Sequence, residues 1–114
     1  MKIERYQFGE LQMDGRVYRN DFKIVAGQVV ANWWRQKGHL LQVGDVTDVL
    51  ERHPQLLIVG CGAHGLMRID DELRQRLIEE GIELVALPTG AAVERFNSEV
   101  GRKDEICAAF HLTC

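Results

Sequence analysis

Gly60-Cys61-Gly62-Ala63-His64-Gly65 sets a thiol and an imidazole among three glycines, directly after the apolar run Leu56-Leu57-Ile58-Val59. Two chemistries use such a stretch. A cysteine beside a histidine can be held as a thiolate and act as a nucleophile. Glycines spaced G-x-G-x-x-G after a strand can bring backbone amides close to a phosphate. The dinucleotide fingerprint also needs a helix that starts at the loop and an acid about 20 residues further on. Here the next helix cap is Asp70, three acids (Asp70, Asp71, Glu72) open that helix, and the following strand ends Ala86-Leu87-Pro88-Thr89 without an acid. Negative charge at a helix N-terminus opposes a pyrophosphate, so dinucleotide binding is rejected. The plain alternative is a sharp glycine turn holding a small buried thiol.

A second group lies in the segment 32–43, where neither helical nor strand periodicity is sustained. It carries Trp33, Trp34, Arg35 and His39. An arginine beside tryptophan suits a carboxylate, a phosphate or a partner protein's surface. It equally suits a packing role, one indole filling the gap between layers with Arg35 stacked over it. A third group, Cys107, His111 and Cys114, has the spacing C-x-x-x-H-x-x-C. In an extended strand its first two members share a face but stand ~13 Å apart, and the spacing is not that of a zinc finger. No metal and no cofactor is expected. Thr89 reads as a helix N-cap, and Asn97 as a side chain that bonds neighbouring backbone.

The elements that must position these groups follow from periodicity. Residues 3–31 read as a β meander of short strands, with hairpins at Asp14-Gly15 and Ala26-Gly27. A short helix follows, capped by Asp45 and with Val46, Val49 and Leu50 inward. The run 56–59 is a strand buried on both faces. A helix over 71–80 turns Leu73, Leu77 and Ile78 inward and pairs Glu72 with Arg76 at i,i+4, and Gly81 stops it. A strand over 82–87, a helix over 90–100 with Ala92, Val93, Phe96 and Val100 on one face, and a strand over 105–111 complete the order. The expected fold is a single mixed α/β domain over 1–114: an N-terminal β meander and an alternating strand–helix half around a mixed central sheet, with helices on one side of it.

Composition bounds the function. The 114 residues are 46% hydrophobic and 27% charged, with net charge −3 and the two signs interspersed. One ordinary domain fits this length, and nothing resembles the basic stripe of a nucleic-acid binder. No apolar run approaches the ~20 residues that span a bilayer, and Met1 opens directly on a strand-like segment without a secretory or mitochondrial leader. Three cysteines, an odd number, fit a reducing compartment. A cytoplasmic location is therefore expected, with no nucleic-acid or membrane partner and no particular oligomeric state implied.

Gly60-Cys61-Gly62, Gly81-Ile82, Thr89 with Ala92-Val93, Phe96-Asn97 and the run Ala108-Ala109-Phe110-His111-Leu112-Thr113-Cys114 together resemble the Mth-type domain family. Trp34-Arg35, Gly38-His39 and Asp45-Val46 agree more loosely. The family includes adipogenesis-associated Mth-type domain-containing proteins and mitochondrial complex I assembly factors. The resemblance implies a three-layer α/β domain with a mixed central sheet, action through partners in assembly and regulation, and no established catalysis. Phe96 stands where an aromatic hydroxyl is usual, and Cys61 where threonine or another polar residue is common.

The expected function is a small binding or assembly module. Its site, for a polar or anionic ligand or a partner protein, would be formed by Trp34, Arg35, His39, Gly60, Cys61, Gly62 and Thr89. Arg35 and His39 would contact the ligand, and the glycine loop would offer amides. The alternative is a hydrolase or transferase using Cys61 or His39.

Overall fold

A computed structural model describes residues 1–102 and 105–114. A five-stranded sheet forms its middle layer, built from β4 (Phe22–Val25), β5 (Gln28–Val30), β7 (Leu56–Cys61), β9 (Glu83–Leu87) and β10 (Ile106–His111), in the order β5-β4-β10-β7-β9. β10 runs antiparallel to β4 and parallel to β7, and β7 runs parallel to β9. All six residues of β7 are buried, as a strand covered on both faces requires. The predicted meander is divided between two sheets. β1 (Ile3–Gln7), β2 (Glu10–Met13) and β3 (Arg16–Tyr18) make a sheet of their own, while β4 and β5 join the central one. Both expected hairpins are present, with positive φ at Asp14, Gly15, Ala26 and Gly27. In the segment 32–43, β6 (Leu40–Leu41) pairs in parallel with β8 (Arg68–Ile69).

The helices lie on both faces of the sheet rather than on one. Alternate residues of the central strands divide the core. Leu57, Val59, Cys61, Cys107 and Ala109 pack with Val49 and Leu50 of α1 (Thr47–Arg52) and Leu73 and Leu77 of α2 (Asp71–Glu79). Leu56, Ile58, Ala108 and Phe110 pack with Ala92, Val93 and Phe96 of α3 (Thr89–Glu99) and with Ile3, Leu11 and Met13 of the small sheet. The reason is topological. β7 to β9 moves one way across the sheet and β9 to β10 moves back over β7. A right-handed crossover in each direction sets α2 and α3 on opposite faces.

Four local expectations are corrected. Asp45 is not the cap of α1: a 3-10 turn (Val43–Asp45) precedes the helix, Val46 is the cap residue, and the Asp45 carboxylate accepts from the amides of Gln42 and Gln36. Ile78 is 70% exposed. At roughly 100° per residue it lies ~140° round the helix from Leu73, whereas Leu77 lies ~40° from it. Arg76 pairs with Glu80 instead of Glu72. Thr89 is the first helical residue after the cap residue Pro88, and its hydroxyl caps nothing.

Asn97, expected to bond backbone, ties α3 to the small sheet. Its amide donates to the Ile3 carbonyl at 2.8 Å and its side-chain oxygen accepts from the Ile3 amide at 2.9 Å. Ile3 is buried, so removing both partners at once leaves two backbone groups unpaired. Asn97→Ala should lower unfolding free energy by about 1–3 kcal/mol in urea titration, with the slope against urea unchanged.

Candidate functional site

Chemistry-bearing side chains gather beyond the C-terminal ends of the parallel strands β7, β9 and β10. There β7 turns through Gly62, whose φ is +96°, and a Cβ on it would stand 2.7 Å from the Thr113 carbonyl oxygen and 3.0 Å from His111 Cδ2. A Cβ on Gly60 would meet Thr89 Oγ1 at 2.9 Å. Both glycines are therefore required by neighbouring protein atoms. The buried Thr89 hydroxyl accepts from the Gly62 amide at 2.9 Å and donates to the His111 carbonyl at 2.6 Å. The Gly62 carbonyl accepts from the amides of Gly65 and Thr89, and Ala63 donates to the Thr113 carbonyl. The amide of Gly62 is thus engaged within the protein, and Gly60 and Cys61 lie inside the paired part of β7.

On the α1/α2 side, His111 is the hub of a buried polar cluster. Its Nδ1 lies 2.7 Å from Asp21 Oδ2, and Asp21 Oδ1 accepts from the Leu112 amide at 2.8 Å. Arg35 Nη1 stands 2.9 Å from Asp21 Oδ2 as an ion pair, out of line for a hydrogen bond. Arg35 Nη2 is 3.1 Å from His111 Nδ1, and Nε donates to the Gly38 carbonyl. The short contact to a carboxylate assigns the Nδ1 proton to the bond with Asp21, which makes the approach of Arg35 to that nitrogen electrostatic packing rather than a second hydrogen bond. Burial alone would raise the Asp21 carboxyl. The hydrogen bonds from His111 and Leu112, the charge of His111 and the adjacent Arg35 guanidinium outweigh it and hold the group below its ordinary value. Arg35 stacks over Trp33 at 4.9 Å, and Lys23, paired with Asp48, approaches the same indole at 5.6 Å. The His39 ring meets the His111 ring edge-on, 5.9 Å between centroids. A cavity of 260 Å³ beside this cluster is lined by Asp21, Trp34, Arg35 and His111 among others, and Trp34 is 78% exposed.

A larger cavity, 460 Å³, opens between the ends of β7 and β9 and the start of α2. Cys61, His64, Met67, Arg68, Asp71, Arg74 and Pro88 are among its lining. Arg68 and Arg74 are exposed and neither has a carboxylate partner among the described residues. Cys61 at the cavity is 5% exposed. Burial pushes its thiol up, against a smaller opposite pull from Arg74; among the described residues no imidazole bonds it, and its sulfur approaches the Val59 carbonyl. That is the small buried thiol, poorly suited to nucleophilic work at neutral pH.

The seven residues singled out from the sequence do not line one cavity. Trp34 and Arg35 border the smaller one, His39 stacks on His111, Cys61 borders the larger one, and Gly60, Gly62 and Thr89 are enclosed between the strand ends. The packing reading of the tryptophans holds for Trp33, buried under Arg35 with its indole nitrogen donating to the Asp45 carbonyl. Sequence reasoning missed Asp21 and the arginines Arg68 and Arg74. His111 was noticed for its spacing to cysteines and within the Mth-type resemblance, not as a partner of Asp21. Among the described residues no three His, Cys, Asp or Glu side chains are grouped to hold a metal ion.

Comparison with known proteins agrees with this architecture. Residues 3–111 match the family described as "Protein of unknown function (DUF498/DUF598)". The chain belongs to the DUF498/DUF598 family. Among solved structures it is similar to the conserved hypothetical protein PH1505 from Pyrococcus horikoshii OT3, at 27% identity and TM-score 0.80 over all of both chains. It is similar to an outer membrane protein from Bartonella henselae, at 24% identity and TM-score 0.81 over 98% of this chain and 94% of that one. It is also similar to a Bordetella pertussis protein described as a Mth938-like domain, at 15% identity and TM-score 0.77 over 97% of this chain and 85% of that one. The Mth-type resemblance read from the sequence is thereby confirmed at the level of family and fold. Among the described residues no helix is long and apolar enough to cross a membrane.

Two outcomes follow for this DUF498/DUF598 domain. Asp21 has a lowered carboxyl, so its stabilising contribution is complete above the unfolded-state value and is lost as pH falls through the folded one. Acid unfolding should therefore steepen from about pH 4 downward, and Asp21→Asn should flatten that limb in circular-dichroism titrations. Iodoacetamide at neutral pH should label the exposed Cys114 well before Cys61, resolved by peptide mass spectrometry.

Proposed function

We propose that this DUF498/DUF598 domain is a small binding module for an anionic ligand, taken in the cavity lined by Cys61, His64, Arg68 and Arg74. The observation that carries the reading is a pair of arginines without carboxylate partners among the described residues, beside a 460 Å³ cavity at the C-terminal ends of parallel strands. Open α/β sheets take ligands at that edge, and unpaired guanidinium groups suit carboxylate or phosphate oxygens. Asp71 lies in the same lining and offsets one of the two charges, which favours a small anion over a polyphosphate. Both arginines are exposed, so the attraction is screened by salt. Relative to the sequence-based expectation, the cationic role moves from Arg35, which is occupied by Asp21, to Arg68 and Arg74.

A partner-protein role is supported by a separate observation, the 78% exposure of Trp34, since exposed tryptophans anchor interfaces. The assembly role implied by the Mth-type resemblance would use this side chain.

Inorganic phosphate titrated into the domain should shift the amides of residues 63–74 in NMR spectra with a low-millimolar midpoint. Arg74→Ala should weaken that response about tenfold, and added sodium chloride should weaken it in the wild type. Amides in that stretch that stay unmoved, or an unchanged midpoint in Arg74→Ala, would count decisively against the cavity.

A further inference from the structure

The imidazole of His111 is committed at one nitrogen only. The residue is 6% exposed, Nδ1 is fixed on Asp21, and Nε2 is enclosed without a hydrogen-bond partner among the described residues. An unpaired buried polar atom of this kind is destabilising. With the proton on Nδ1, the neutral ring carries an unshared electron pair on Nε2. A carboxylate behind one nitrogen, which fixes the tautomer and raises the basicity of the other, is the order in which proteins prepare a histidine for a metal. A second imidazole stands beside it. His39 lies with its ring centroid 5.9 Å from that of His111, and its ring makes no hydrogen bond or ion pair among the described residues.

The spacing can be judged by bond lengths. A metal–nitrogen bond of about 2.0–2.1 Å, added to roughly 1.1 Å from ring nitrogen to ring centre, sets each centroid ~3.2 Å from a shared ion. Two rings up to ~6.4 Å apart can then reach one ion, and 5.9 Å falls inside that limit. Asp21 and Arg35 form an ion pair, so their two charges offset each other beside the imidazoles. His39 is exposed, so its ring can turn to offer a nitrogen to an ion held by His111.

We propose that His39 and His111 form a two-histidine site for a divalent transition-metal ion of the zinc or nickel class, with Asp21 as the supporting carboxylate. No third His, Cys, Asp or Glu joins them among the described residues, so water or a bound anion fills the remaining coordination positions. Such an ion is open to exchangeable ligands and able to polarise them. Asp21, His39 and His111 are not part of the lining of the anion cavity at Arg68 and Arg74.

The test uses the full chain carrying Cys114→Ser, which removes the exposed thiol as a competing ligand. Zinc chloride or nickel chloride is titrated by calorimetry while the imidazole nitrogens are followed by NMR. One ion per chain is expected, with the His39 and His111 resonances shifting and those of His53 and His64 unmoved. His39→Ala, an exposed substitution that leaves the buried cluster intact, should weaken binding at least about tenfold, and Asp21→Asn should weaken it with both rings present. No binding up to millimolar metal, equal affinity in His39→Ala, or shifts confined to His53 and His64 would each overturn the proposal.

Discussion

One hydroxyl joins the parts that meet at the functional end of the sheet. Thr89 Oγ1 accepts from the end of β7 and donates to the end of β10 while opening α3. The bond pair works only because Gly60 has no side chain, since a Cβ there would stand 2.9 Å from that oxygen. Three chain segments far apart in sequence are thereby held at one fixed separation. The positions of Cys61, His111 and the Gly62 turn all follow from it. A valine at 89 would keep the shape and lose both bonds, leaving a buried amide and carbonyl unpaired, which is costlier than the hydroxyl's own contribution.

From that junction the two faces of the sheet acquire different characters. The side under α3 is closed by apolar and aromatic contacts, with Phe110 against Phe22 and Phe96. The side under α1 and α2 mixes the same apolar packing with a buried ionic group, Asp21–Arg35–His111, backed by Trp33. Buried charges persist only when paired and hydrogen-bonded, and here the pairing is extensive. Arg35 is consequently a poor candidate for reaching a ligand in solution, and exposed arginines elsewhere take that role.

What the sequence revealed, and what it concealed, divides along physical lines. Local signals were legible. Alternation and Asp-Gly or Ala-Gly turns located the hairpins, and apolar periodicity located α2 and α3 to within a residue of their ends. Gly81 after α2 marked a stop that the positive φ there bears out. Trp33 and Arg35 were legible as a possible stack because they are neighbours in the chain. The site was less legible, because its determinants are long-range. Asp21 and His111 are 90 residues apart, and nothing near Asn20-Asp21 distinguishes a turn aspartate from one that turns back to a strand at the far end of the chain. Thr89 looked like a cap for the same reason: its true partners, Gly62 and His111, are 27 and 22 residues away. The placement of helices on both faces was derivable only once strand order was known.

The central position of β10 bears on how the fold is reached. This strand follows the sheet's other four in sequence, yet it lies between β4 and β7 and joins the antiparallel part of the sheet to the parallel part. Until it is available, the β4–β5 hairpin and the β7–β9 pair have no shared neighbour. The closing contacts, Asp21 with His111 and Asn97 with Ile3, each span most of the chain. During synthesis the hairpins and helices can form as they emerge, but the sheet cannot knit together until β10 leaves the ribosome. Slow, late and cooperative closure is the kinetic signature of such long-range topology. In the interval two unpaired strand edges stand exposed, which makes the nascent chain more vulnerable to aggregation than the finished domain.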